Sequence, residues 1–292
     1  MIVVAIPTRD RAPHVRTCVA SILAADEQPD EILVVDQSAG DDTRALIAEL
    51  ESDRLRYVRA ESPGTSAARN AAGELTAAEY VAFLDDDITV PPEWFATVVE
   101  ELDRHGRPDA LFGEMRAPEG QVDAKGLAIS AFPVTETRIW SGMTPPSQVG
   151  FGAHAVLRRD TLLALGGFDT RLGPGTRCYS AEDIDLNYRL LRSGASVVTS
   201  SRLWVVHHQW RPPAAIPRVY YRYSVGHSSF CMKHLLQGDR YPLRLVAVHA
   251  LGDLKLLASA VRRRSFLRAR ASLSRAVGTW HGLARGWALF RR

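Results

Sequence analysis

The sequence predicts an α/β protein built on a parallel sheet with helices packed against it. Two observations carry this reading. Along the first half, short apolar runs rich in β-branched residues alternate with segments of helical spacing, the order expected of parallel strands joined by right-handed crossovers. The apolar runs also end abruptly in polar residues, as strands do when their carboxyl ends line a ligand-binding edge. An apolar content of 46% and a charged content of 24% are those of an ordinary globular chain, and 292 residues suffice for one large α/β domain or two smaller ones.

Ile2–Ile6 is an apolar run ending at Pro7-Thr8, and Pro13–Ala24 then places Val15, Val19, Ile22 and Leu23 on one helical side. A second strand, Glu31–Val35, ends at Asp36, and a helix over Asp41–Leu50 carries acids in its first turn, where the helix dipole favours them. Arg54–Arg59 is a weaker third strand. Pro63-Gly64-Thr65-Ser66 opens a helix over Ala67–Ala78. The fourth strand, Tyr80–Leu84, runs straight into Asp85-Asp86-Asp87.

Three adjacent carboxylates repel one another, and burial beside a core makes that worse. Either the turn is solvated, or a positive group compensates; a divalent cation carrying a phosphate is the natural candidate. Thr8-Arg9-Asp10, Asp36 and Asp85–Asp87 follow three separate strands and fall on the same edge of the sheet. A solvated turn does not explain that convergence.

Further along, Pro92–Arg104 is a helix and Ala110–Gly113 a strand, and residues 117–147 read as a long excursion without a clear period. Gly150–Arg159 is a strand entering a helix that stops at Gly166-Gly167. A turn-rich loop, Gly173–Ser180, precedes Glu182-Asp183-Ile184-Asp185-Leu186, with Ser180 placed as an N-cap. Those acids can be simple first-turn stabilisers, but carboxylates delivered by a glycine loop also suit a general base. Leu203–His208 is a strand ending in two histidines, which are either surface residues or, beside a carboxylate-bound ion, part of its coordination.

Several classes are excluded. Strand one is followed by Pro7-Thr8-Arg9-Asp10-Arg11 and not by Gly-x-Gly-x-x-Gly, which argues against NAD or FAD, and the chain contains no Gly-x-x-x-x-Gly-Lys-Ser/Thr loop. Three unclustered cysteines (Cys18, Cys178, Cys231) argue against a disulfide framework or zinc site and for a reducing compartment. The opening apolar run is too short for a signal-peptide core. The apolar stretch closest to a membrane span, Leu245–Val261, is interrupted by His249, Asp253 and Lys255. A cytoplasmic protein is expected.

Taken together, these residues resemble inverting family 2 glycosyltransferases with the GT-A fold. The resemblance rests on Ile6-Pro7-Thr8-Arg9-Asp10-Arg11, Val34-Val35-Asp36-Gln37-Ser38, Ser66-Ala67-Ala68-Arg69-Asn70, Phe83-Leu84-Asp85-Asp86-Asp87, Gly166-Gly167-Phe168-Asp169, Leu172-Gly173-Pro174-Gly175, Glu182-Asp183-Ile184-Asp185-Leu186 and Val206-His207-His208. These pieces are collinear over residues 1–210.

The resemblance implies a Rossmann-like mixed sheet flanked by helices, with a nucleotide-sugar-binding half (1–88) and an acceptor half (89–210). It implies a hexosyltransferase-type enzyme using a UDP-, GDP- or dTDP-sugar, Mn²⁺ or Mg²⁺, and a glycan or lipid-linked acceptor of the cell envelope. Pro7, Thr8, Arg9 and Asp36 would meet the nucleotide, Arg69 would brace the acidic site, and Asp85 and Asp86 would contact ribose and diphosphate. Asp87, with Asp85 and His207, would ligate the metal. Asp183, beside Glu182, would deprotonate the acceptor hydroxyl. One departure is His154 in Gly152-Ala153-His154, where the family often has Asn.

Residues 211–292 read as a helical, basic C-terminal extension. From Tyr241 onward there are eleven Lys/Arg and one acid (Asp253), against 25 Lys/Arg and 32 acids before it, so an acidic body precedes a tail of +10. Leu273, Val277, Trp280, Ala284 and Trp287 form a helical stripe among arginines, which suits either an anionic membrane surface or packing on the catalytic body. No recognition motif accompanies the charge, so nucleic acid is not expected as a partner. The expected location is the inner face of the plasma membrane, as a peripheral protein. Competing readings are a sugar nucleotidyltransferase, whose Gly-rich loop after strand one is missing, and a non-catalytic nucleotide-sugar-binding protein.

Overall fold

The computed structural model describes residues 1–118, 131–208 and 212–291. Of the excursion expected over 117–147, residues 119–130 lie outside the described residues, as does the domain boundary expected at 210/211, whereas 131–147 are described and include a short strand at Arg138–Trp140. The chain divides into two compact units, Met1–Phe168 with Leu186–Trp210, and Asp169–Asp185 with Arg211–Arg292.

The first unit holds a nine-stranded mixed sheet. Strands β1 (Ile2–Thr8), β2 (Glu31–Asp36), β3 (Leu55–Arg59) and β4 (Tyr80–Leu84) lie in the order β3-β2-β1-β4, all parallel. The connecting helices are α1 (Ala12–Leu23), α2 (Asp42–Ala48) and α3 (Thr65–Leu75). Beyond β4 the parallel pattern stops. After β5 (Ile88–Thr89), α4 (Trp94–Arg104), β6 (Ala110–Arg116) and β7 (Arg138–Trp140), strand β8 (His154–Arg158) pairs antiparallel with both β4 and β6. Strand β9 (Val197–His207) runs parallel to β6 and antiparallel to β5 and β7.

Alternation along the strands makes two cores, one on each face of the sheet. Val4, Ile6, Ile32, Val34 and Leu84 pack against α1 and α4, through Val15, Val19, Ile22, Phe95 and Val98. Val3, Ala5, Leu33, Val35 and Phe83 face the opposite way, onto Ala68 and Ala72 of α3, Leu162 of α5 (Arg159–Ala164) and Leu190 of α6 (Glu182–Ser193). Each fully buried side chain of this size contributes about 1.5–3 kcal/mol of transfer free energy.

His154 belongs to this core and is 1% exposed. The Trp94 Nε1–H can only donate, so His154 Nε2 accepts it at 3.1 Å and Nδ1–H points at the Glu114 carbonyl, 3.1 Å away. Burial holds its pKa down to about 4. Where the family often has Asn, this chain has a neutral core histidine.

The second unit consists of the segment Asp169–Asp185 and three long helices, α7 (Ile216–Leu236), α8 (Tyr241–Arg262) and α9 (Phe266–Phe290). On α9, Gly278, Gly282 and Gly286 recur every four residues and face α7. A Cβ at Gly278 would come within 2.5 Å of the Tyr221 carbonyl oxygen, and at Gly282 it would strike that of Val225. The backbones approach closely enough for Ser229 Oγ to donate to the Gly282 carbonyl at 3.0 Å.

Candidate active site

The carboxyl ends of β1, β2 and β4 converge because the register aligns them: Thr8 sits beside Asp36, and Ala5 beside Phe83. The two-residue strand β5 then pairs Ile88 with His207, which carries the end of β9 to the acidic turn.

Each of the three aspartates has its own partner. Asp85 Oδ1 accepts from Arg69 Nη2 at 2.8 Å, and the Arg69 guanidinium lies 5.3 Å from the Phe168 ring centroid. Gly152 makes room for that guanidinium, since a Cβ there would lie 2.6 Å from Arg69 Nη1. Asp86 accepts from Thr8 Oγ1 at 2.8 Å and from Arg11 Nη1 at 2.7 Å. Asp87 Oδ2 accepts from Arg11 Nη2 at 2.9 Å, and its Oδ1 faces His207 Nε2 at 3.2 Å.

Burial pushes the Asp86 carboxyl up to about 7, against the opposing charge of Arg11 and the Thr8 hydroxyl. Burial would raise Asp87 too, but hydrogen bonding and charge from His207, with those of Arg11, hold it well below the usual carboxylate range.

Asp85, Asp87 and His207 can each offer a ligand atom within 4.8 Å of the others, a group of metal-ligating type found among the described residues. Two carboxylates and an imidazole suit Mn²⁺ or Mg²⁺ better than a soft metal. Asp87 Oδ1 is buried with His207 as its neighbour, so the donor set fits a cation.

The neighbouring end of β2 is tied together by Asp36, which is fully buried. Its Oδ1 accepts from the Ser38 backbone N–H at 2.8 Å, and its Oδ2 from the Tyr57 hydroxyl at 2.8 Å. Arg59 Nη1 donates to the Ser38 carbonyl at 3.1 Å.

Among the expected donor-site residues, the structure therefore brings together Thr8, Arg69, Asp85, Asp86, Asp87 and His207, with Asp36 one strand away. Pro7 lies in β1 beside Val35. Arg9 is exposed and pairs with Asp10 at 3.5 Å, and the arginine on the acidic turn is Arg11. Sequence reasoning missed Arg11, Ser38 and Tyr57 as site residues. The only available signal for Arg11 was the need for a cation beside three acids.

The second unit presents its own acidic cluster. Glu182, Asp183 and Asp185 occupy the first turn of α6. Asp183 Oδ1 accepts from the Ile184 N–H at 2.8 Å. Ser180 is not the cap: the helix begins at Glu182, and Ser180 Oγ donates to the Arg222 carbonyl at 3.3 Å. Tyr179 and Ala181 both adopt positive φ (65° and 75°), which L-residues rarely do and which marks a backbone held by its surroundings. Asp185 is fully buried and is gripped by Lys233 Nζ (2.7 Å) and His234 Nε2 (2.8 Å) from α7. Lys233 also reaches Asp169 at 2.9 Å. Burial would raise the Asp169 carboxyl, but Arg171 and Lys233 hold it well below the usual range.

The O-antigen biosynthesis protein RfbC of Myxococcus xanthus is 28% identical over 235 residues, covering 74% of this chain and 18% of the relative. The succinoglycan biosynthesis protein ExoM of Rhizobium meliloti is 28% identical over 178 residues, covering 60% of this chain and 55% of the relative. The chain thus spans well under two thirds of the length of either. Among solved structures, the mannosyltransferase PcManGT from Pyrobaculum calidifontis, in complex with GDP-Man and Mn²⁺, superposes with a TM-score of 0.64 at 18% identity, covering 96% of this chain and 86% of that one. That likeness shows the GT-A fold. Residues 3–166 match Glycosyl transferase family 2, and the chain belongs to that family.

Proposed function

We propose that this chain is a metal-dependent, inverting glycosyltransferase. It moves a sugar from a UDP-, GDP- or dTDP-sugar to a hydroxyl of a glycan or lipid-linked acceptor in cell-envelope polysaccharide synthesis, at the inner face of the plasma membrane. The observation that carries this reading is the Asp85–Asp87–His207 group at the carboxyl edge of β4. The Mn²⁺ and GDP-Man bound by the mannosyltransferase of the same fold support it.

Asp85, Asp87 and His207 hold the metal. A bound divalent cation neutralises the negative charge that develops on the departing nucleoside diphosphate. Thr8 and Asp36, the latter braced by Tyr57 and Ser38, hold the nucleobase, and Asp85 and Asp86 contact the ribose and diphosphate. Arg69 holds Asp85 in place through its 2.8 Å ion pair. Asp183, beside Glu182, takes the acceptor proton as the new bond forms at the anomeric carbon. One displacement inverts the configuration, and no second carboxylate nucleophile is needed.

The test is sugar transfer with a panel of nucleotide-sugars and Mn²⁺, beside a thermal-shift screen of UDP, GDP, dTDP and CDP with and without Mn²⁺. One nucleotide should stabilise the protein in an Mn²⁺-dependent way, and folded Asp87→Ala and Asp183→Asn variants should lose transfer. Full activity in either variant refutes the role given to that residue.

A further inference from the structure

The C-terminal helices are built with their smallest residues inside and their largest outside. The α7–α9 contact admits nothing bigger than glycine at positions 278, 282 and 286, so the bulky side chains of α9 are turned the other way. Phe266, Leu273, Val277, Trp280 and Trp287 are 40–77% exposed. A helix packed onto a body as its final partner shows the reverse pattern, burying the large side chains.

Helix α8 does the same. Two of the three residues that interrupt its apolar run point inward: Asp253 is buried against Arg275, and His249 stacks on His227 and bonds Ser224 Oγ at 3.0 Å. With these turned in, Leu243, Leu251, Leu254, Leu257 and Val261 remain on one helical side, each 46–73% exposed. Contiguous apolar surface on this scale marks an interaction site.

The polar residues around it carry one sign. Arg244, Lys255, Arg262, Arg263, Arg264 and Arg270 are exposed, and among described residues 241–291 the sole carboxylate side chain is the buried Asp253. A second copy of this chain would bring the same positive charge to the contact, which opposes self-association. No helix among the described residues is long and apolar enough to cross a membrane.

We infer that the outer faces of α8 and α9 are a seat for an anionic phospholipid bilayer. The leucines and tryptophans enter the acyl boundary, and the arginines of the 262–264 turn meet the headgroups, without either helix crossing. This deepens the membrane-surface reading above and rests on it, naming the surface and its partner.

The experiment is flotation of the full chain with phosphatidylcholine vesicles, with and without phosphatidylglycerol, for wild type, Leu254→Glu/Val261→Glu and Arg262→Gln/Arg263→Gln/Arg264→Gln. Wild type should float with the anionic vesicles. The triple variant should partition about a hundredfold more weakly, at about fivefold per charge, and the double variant should stay with the soluble fraction. Equal partitioning of all three proteins, or equal binding to neutral vesicles, overturns the proposal. So does wild type that stays soluble while sedimenting as an oligomer that the double variant dissolves. The Mn²⁺-dependent nucleotide shift is read on the same samples. Lost flotation with an intact shift assigns the loss to the seat, whereas an absent shift with normal flotation counts against the transferase reading alone.

Discussion

Replacing Arg11 by Met removes a side chain that bridges Asp86 and Asp87, at 2.7 and 2.9 Å. The two carboxylates are 7% and 2% exposed, and breaking a buried pair by deleting one partner typically costs about 3–5 kcal/mol. Arg11 itself is 38% exposed, so water screens part of its charge and the expected cost falls to roughly 2 kcal/mol. For a domain of this size that is about 4–8 °C in melting temperature, measured in chelator by differential scanning fluorimetry. The pH dependence provides a second readout. Asp86, raised to about 7, keeps its proton in the folded state where the unfolded chain has lost it, so its contribution to stability falls as pH rises from about 4 to 7. Without Arg11 the carboxyl is raised further, and the stability deficit should widen toward alkaline pH. Added Mn²⁺ should recover more stability in the variant than in wild type, because it replaces the missing charge. A variant melting within about 1 °C of wild type at pH 8 in chelator would refute the pairing.

Three further outcomes follow from the same geometry. His207→Ala and Asp87→Ala should abolish the Mn²⁺-dependent thermal shift and lower transfer by more than the ~10–100-fold typical of an outer-shell partner, read from kcat at saturating Mn²⁺. Lys233→Met leaves Asp185 buried with His234 and strips Asp169 of a cation, so urea unfolding should show a loss of about 3–5 kcal/mol, with a smaller loss in Lys233→Arg. Burial lowers His154 and His249 to about 4 and His227 to about 3. Below about pH 6.5 the unfolded chain binds protons that these folded imidazoles refuse, so stability falls as pH drops from 6.5 toward 4. The three histidines outweigh Asp86, which acts in the opposite sense; a melting temperature that is flat or rises over that range would contradict their burial.

The strand ends were legible because each parallel strand writes itself locally, as a short β-branched run followed at once by a polar residue. Thr8, Asp36 and Asp85–Asp87 could be placed on one edge by counting strands. His207 was readable as a strand-end histidine, although β9 begins at Val197, six residues before the expected start. Its first half contains Thr199, Ser200, Ser201 and Arg202 and passes a register shift opposite Gly113/Glu114, so no apolar run announces it.

The sequence alone determined the α/β alternation, the acidic edge, the family resemblance and the basic helical tail, since these depend on period, composition and local order. Only the tertiary structure decided which cation sits on the acidic turn, because Arg11 and Asp86 are 75 positions apart and nothing local distinguishes Arg11 from Arg9. It also reversed β8, packed His154 as a neutral core residue, and locked Asp185 to Lys233 and His234. In α8 it turned Asp253 and His249 inward. A linear pattern records which residues interrupt an apolar run, but the direction in which they point is set by the helices packed beside them.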